Sequence, residues 1–159
     1  MKTELQNEHY WLQKLVGEWT YETEVMMEAN QPPEKATGTE SVRSLDGIWI
    51  LAEGHGEMPG CGTATTMVTL GYDSQKQRYV GTWIGSMMSH LWVYDGELDA
   101  ARRVLTLNAE GPAMTGEGLA KYKDAIKFKN DNHRVLTSSV LGDDGEWHEF
   151  MTVNYQRQS

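Results

Sequence analysis

Five histidines, an EGHGE segment (Glu53 to Glu57), an SMMSH segment (Ser86 to His90) and one cysteine are the residues whose types can do chemistry. Their spacing narrows what that chemistry is. No two histidines stand at the i, i+4 spacing of a helical zinc site, and no CxxC pair exists, so no metal site is expected. Ser86 and Ser89 lie close to His90, but no Gly-x-Ser-x-Gly elbow surrounds them, and Ser138-Ser139 simply alternate within a strand. Cys61 sits in a Pro-Gly-Cys-Gly turn with no neighbouring Lys, Arg or His to activate it. The Gly-rich stretches 54–62 and 111–118 lack the strand-to-helix context of a phosphate loop. His9 reads as an exposed helical residue, and His133 and His148 belong to the last two strands. That leaves His90 as a polar contact, alone or with Glu53 or His55.

His90 stands in YVGTWIGSMMSHLWVY (Tyr79 to Tyr94), the densest aromatic, Met and His cluster of the chain. Alternation sets Tyr79, Gly81, Trp83 and Gly85 on one face of a strand, and His90, Trp92 and Tyr94 on one face of the next. A Ser86-Met87-Met88 turn is expected to join them. With nine methionines in the chain, these rings have flexible, polarizable companions, the composition of an apolar pocket with a few polar tips. Tyr79, Trp83, His90, Trp92, Tyr94, Glu53 and His55 are therefore the candidate ligand-binding residues. Two other readings stand beside this one. The same side chains fill the barrel without a ligand; or Leu91 and Val93 point inward and the aromatic face becomes a homodimer interface. Period-2 patterning alone does not choose a face. A His/Glu acid–base enzyme in the same cavity is the runner-up function, and no substrate follows from the sequence.

The elements that position these residues read clearly. Thr3 to Val16 has helical spacing of Tyr10, Trp11, Leu12 and Leu15, with Thr3 as cap and Gly17 as stop. From Trp19 the period becomes two: Trp19, Tyr21, Thr23, Val25 and Met27 oppose a solvated acidic face of Glu18, Glu22, Glu24 and Glu28. Ala29 to Thr37 is a loop, Asp46-Gly47 a two-residue hairpin signal, and Asp95-Gly96 the start of another turn. Further strands follow at 38–45, 48–57, 63–72, 78–86, 88–95, 103–109, 121–129, 133–141 and 146–156, with an irregular connection over 110–118. About ten short strands with turn signals every ~8–12 residues imply an all-β sandwich or closed barrel. The short connections favour an up-and-down antiparallel meander.

Gly17-Glu18-Trp19 after a helix resembles the Gly-x-Trp opening of the calycins, the lipocalin and fatty-acid-binding-protein barrels, in which that Trp packs across one barrel end. WLQKLVGEWTYE, PPEKATGTESVRSL, GTWIGSMMSHLWVYDG and LTSSVLGDDGEWHEFM resemble the family catalogued as domain of unknown function 1579, from about His9 to Arg157. That resemblance implies a calycin-like barrel and brings no activity with it. The nitrobindins, calycin-like barrels that hold haem through one histidine, open with Gly-x-Trp-x-Gly-x-Gly. Here Thr20, Tyr21, Glu22 and Thr23 follow Trp19, so the glycines are missing; were haem bound, His148 would be the first axial candidate, ahead of His133. No cofactor is assigned.

Totals bound the rest. The chain of 159 residues is read as a single domain, helix over 1–16 and barrel over 17–157. Six Trp and seven Tyr against two Phe give it large rings whose N–H and O–H groups need partners. A net charge of −9 argues against nucleic acid as a partner. The absence of a long apolar run argues against a membrane span, and the lone cysteine fits a reducing, cytoplasmic setting. The leading expectation is a calycin-like barrel that binds a small apolar or aromatic molecule.

Overall fold

The computed structural model describes residues 2–26 and 31–159. Helix α1 spans Asn7–Gln13, shorter at both ends than the spacing predicts. Thr3 does not cap it; the Gln6 backbone N–H instead donates to Nδ1 of His9 at 2.9 Å. Beyond Gln13 the chain tightens, with Lys14, Leu15 and Val16 N–H groups each bonding a carbonyl three residues back. A seven-residue helix has little stability of its own. It persists because Trp11, Leu12 and then Leu15 are buried against the sheet, while Tyr10 faces solvent.

Ten strands follow: β1 (Gly17–Val25), β2 (Glu34–Leu45), β3 (Trp49–Met58), β4 (Gly62–Asp73), β5 (Arg78–Gly85), β6 (Trp92–Leu98), β7 (Val104–Pro112), β8 (Leu119–Asn130), β9 (His133–Leu141) and β10 (Trp147–Arg157). Each pairs antiparallel with the next, and β1 pairs with β10, from Trp19↔Arg157 to Val25↔Met151. The result is a closed up-and-down barrel without a free edge, the architecture expected from the meander pattern. Among the described residues no helix is long and apolar enough to cross a membrane.

Several boundaries differ from the sequence reading, each for a local reason. Asp95 and Gly96 lie inside β6 rather than in a turn; the chain reverses later, at 99–103. Gly96 serves close approach instead, because a Cβ there would stand 2.1 Å from the Thr106 carbonyl oxygen. The connection from β5 to β6 is not a tight Ser86-Met87-Met88 turn but six residues, 86–91, which leaves His90 outside the strand. β2 begins within the expected loop, at Glu34, and β7 runs on to Pro112. Asp46 and Gly47 do adopt left-handed φ, 52° and 82°, within a three-residue connection. Met27 and Glu28, expected to extend β1, lie outside the described residues.

The two barrel ends are unlike. At one end α1 sits over the β2–β3, β4–β5, β6–β7 and β8–β9 hairpins, and the large rings are sealed with their polar tips satisfied. Trp19 donates Nε1–H to the Leu15 carbonyl at 2.9 Å, Trp11 to Arg102 at 2.9 Å, and the Tyr79 hydroxyl to Glu8 at 3.0 Å. The Arg157 guanidinium lies 4.2 Å from the Trp19 ring centroid and donates to the Val16 and Lys14 carbonyls, each at 2.6 Å. His9 corrects its expected exposure: it is fully buried here. Its Nδ1 accepts from Gln6, so the proton sits on Nε2 and is donated to the Tyr72 carbonyl at 3.1 Å.

Candidate ligand-binding cavity

Inside the barrel lies a cavity of about 640 Å³, reaching from Leu15 and Leu70 near the helix to Met58, Met88 and Met114 at the opposite mouth. Most of its wall is aliphatic or aromatic: Val42, Ile50, Leu107, Ile126, Leu136 and Val153 ring the middle. Strand alternation puts them there, since each is an inward-facing residue of its own strand.

Toward the mouth, four rings form an edge-to-face string. His90 to Trp92 is 4.7 Å between centroids, Trp92 to Tyr122 is 5.0 Å, and Tyr122 to Phe150 is 6.2 Å. Two backbone features make room for it. Gly111 lies under Trp92, and a Cβ there would stand 2.3 Å from the ring. The β9–β10 register shifts between Glu149 and Met151, a β-bulge that leaves Phe150 unpaired, and both Phe150 and Met151 line the cavity. Trp92 donates its Nε1–H to the Met88 sulfur at 3.1 Å, tying the mouth loop to β6.

Two polar stations interrupt the apolar wall. Deeper in, Arg134 of β9 donates through Nη2 to Glu40 of β2, both side chains being at least nine-tenths buried. The rings of Tyr155 and Trp19 lie against that guanidinium, 3.7 and 4.6 Å from its central carbon. Burial, with Glu40 nearby, drives the Tyr155 hydroxyl pKa far above its ordinary value. Higher on the wall, Asp124 of β8 accepts from Tyr94 Oη at 2.5 Å and from Ser138 Oγ at 2.6 Å. Burial raises the Asp124 pKa from its ordinary 3.8, and the two hydrogen bonds only partly oppose that. Burial and the neighbouring Asp124 likewise push the Tyr94 phenol well above its usual range.

Of the candidate residues, Trp83, His90, Trp92 and Tyr94 line this cavity together. The outward-facing alternative is excluded: Leu91 and Val93 are more than half exposed while Tyr94 is buried. The Tyr94 side of β6 therefore faces the lumen, and the side of Leu91 and Val93 faces outward. Tyr79 is not part of the cavity wall; its ring packs against Tyr72 and Trp11 under the helix. Glu53 and His55 lie on the outer face, half exposed and bonded to each other at 2.6 Å, because on β3 the inward register belongs to Ile50, Ala52 and Gly54. They supply no acid–base pair to the lumen. Among the described residues no carboxylate bonds His90; its Nε2–H donates to the Glu110 carbonyl at 3.2 Å. His148 is a surface residue bonded to Asp144 at 2.9 Å, and His133 bonds Asn154, so neither faces the cavity as an axial ligand would. Among the described residues no three His, Cys, Asp or Glu side chains group as metal ligands.

Sequence reasoning missed Glu40, Asp124, Arg134 and Ser138. The signal was parity. Asp124 shares the register of Tyr122 and Ile126, Arg134 and Ser138 that of Leu136, and Glu40 that of Val42.

Solved structures give the fold a setting. The barrel superposes on Rv2717c from M. tuberculosis with a TM-score of 0.62 at 10% identity, covering 98% of this chain and 100% of that one. It superposes on the S-type phycobiliprotein lyase CPES from Guillardia theta with a TM-score of 0.58 at 13% identity, covering 98% and 94%. At such identities the likeness concerns the fold alone. No curated protein matches the sequence. A family model described as "Protein of unknown function (DUF1579)" matches residues 4–157, nearly the whole barrel and its helix, and the chain belongs to that family.

Proposed function

We propose that this barrel binds a small, largely apolar molecule in its lumen, with Trp83, Trp92, Tyr94 and His90 among the contacting side chains. The observation that carries this reading is the cavity of about 640 Å³. A dry void of that size would cost on the order of 15 kcal/mol at ~24 cal/mol per Å³, as much as the whole stability of a typical domain. The barrel is not a self-filled core, so its interior holds solvent or a ligand. Its wall, aliphatic in the middle and aromatic at the mouth with a few fixed polar groups, has the composition of a small-molecule site. A phycobiliprotein lyase built on the same fold is consistent with a barrel whose function lies in recognition. The exposed, unpaired Cys61 supports a reducing, cytoplasmic setting.

Native mass spectrometry of gently purified protein tests the proposal. An added mass lost on denaturation is expected. Trp83→Ala should reduce retention about tenfold, the weight of one aromatic anchor, while unfolding stays cooperative. Absence of any retained mass, together with no uptake of environment-sensitive apolar dyes, would refute it.

A further inference from the structure

The deeper polar station says what kind of molecule the lumen takes, on the reading that it takes one. Arg134 is 4% exposed, and its Nε is the buried side-chain nitrogen or oxygen among the described residues without a hydrogen-bond partner. Aromatic rings lie over the guanidinium, so polar groups can reach it only at its edge. Glu40 holds one corner of that edge, through Nη2. The Nε corner is buried without an acceptor, and Arg134 is one of the residues lining the cavity. A buried donor left without an acceptor is costly, and an incoming acceptor recovers that cost.

The charge of the acceptor follows from its neighbours. Arg134 and Glu40 are an ion pair, already neutral together. A carboxylate placed at Nε would be attracted by Arg134 but repelled by Glu40 on the same guanidinium, and it would lose its hydration on entry. A neutral dipole keeps the hydrogen bond and avoids both penalties. The other titratable residues of the wall add no positive charge for an anion: Glu57 and His90 stand toward the mouth, Asp124 is bonded by Tyr94 and Ser138, Tyr122 donates to the Pro112 carbonyl, and Tyr21 and Tyr155, close to Glu40 and to each other, are neutral phenols. An amine meets the reverse difficulty at Arg134. The distance is also informative. Arg134 and Ser138 are four residues apart on one face of β9, so the stations lie about 13 Å apart along the strand at ~3.3 Å per residue. A molecule with its polar atom at Arg134 keeps its apolar body against Leu136, Ile126 and the aromatic string.

We infer that the lumen selects an uncharged molecule carrying a carbonyl-type acceptor at its inner end, which hydrogen-bonds Arg134 Nε–H, with an apolar or aromatic body filling the cavity toward the mouth.

Three dimethylaminonaphthalene probes of nearly equal size test this, carrying a propionyl ketone, a carboxylate or a propyl group opposite the amine. The ketone should bind about tenfold tighter than the propyl probe and also tighter than the carboxylate at neutral pH, the weight of satisfying one buried donor. Its emission should be shifted to the red by the hydrogen bond. The double variant Glu40→Met with Arg134→Met replaces the ion pair by apolar groups of similar length, a change that folded proteins tolerate. In that variant the ketone's advantage should vanish and its emission move to the blue, with propyl binding retained. Arg134→Lys, which keeps the charge but lacks the Nε–H edge, should lose most of the ketone preference. Equal affinity for ketone and propyl probes in the wild type, or preference for the carboxylate, would overturn the inference and leave lumen binding intact. Failure of all three probes to bind would instead count against the proposed function itself.

Discussion

The two ends of this barrel are built from the same residue types and put to opposite uses. At the floor, Trp11, Trp19 and Tyr79 are almost wholly buried, and each polar tip is bonded to a backbone carbonyl. At the mouth, Trp83, Trp92 and Tyr122 are half-buried and border the cavity; Trp92 N–H has only a methionine sulfur as partner. The difference is the short helix. Where α1 and the turn after it bring Leu12, Leu15 and acceptor carbonyls over the barrel end, aromatic rings become structure. At the mouth, where no helix among the described residues covers the barrel, the same rings stay accessible. Aromatic content alone therefore identifies neither core nor site; what covers the rings decides.

Substitutions at the two ends put that contrast to the test. Trp19→Ala should cost about 3–5 kcal/mol of stability, the usual range for a buried Trp, measured by urea denaturation. Trp92→Ala at the mouth should cost about 1 kcal/mol in the same assay, because the ring is only partly buried and borders the open cavity. Equal losses would erase the distinction between the ends. Arg157→Ala should cost about 2 kcal/mol by removing two charge-assisted hydrogen bonds to the end of the helix. Hydrogen exchange should then quicken in α1 and leave β8 and β9 unchanged.

Asp124 gives a pH signature to the upper wall. Its folded-state pKa is raised above the unfolded one, so the native state holds the proton more tightly. That contribution is complete below the unfolded value, near 3.8, and is lost as pH rises through the folded pKa. Asp124→Asn removes the titration, so the variant should gain stability relative to wild type as pH rises from 4 toward neutrality. A stability difference that does not change with pH would show that the carboxyl titrates alike in both states. The smallest effect belongs to the outer wall: Arg78→Ala breaks an exposed bidentate pair with Asp95 and should cost no more than about 1 kcal/mol.

Most of the architecture was legible because alternation survives on nearly every strand, with Asp46-Gly47 marking a turn by its demand for positive φ. Asp95-Gly96 carries the same dipeptide and misleads, since Gly96 answers to the Thr106 carbonyl of the next strand, a contact with no local trace. The mouth cluster was readable as large rings on one parity. The polar stations were not. Glu40, Asp124, Arg134 and Ser138 look like ordinary outward residues, and their inward placement is recognisable only by extending the apolar register through them. Pairing across the lumen, as between Arg134 and Glu40, joins residues 94 positions apart and leaves no mark on local spacing.

The closure of β1 on β10 also bears on how the protein is made. Trp19 pairs with Arg157 across almost the entire chain, so the barrel stays an open sheet until β10 has formed. Arg157, on that same strand, is the residue that anchors the helix end through Lys14 and Val16. Wall and floor are completed by one late event, which imposes the long loop-closure search that slows folding of non-local β topologies. A nascent or truncated chain lacking β10 would present the unpaired edges of β1 and β9 with an apolar lumen between them. Such a species is a target for chaperones and a seed for aggregation.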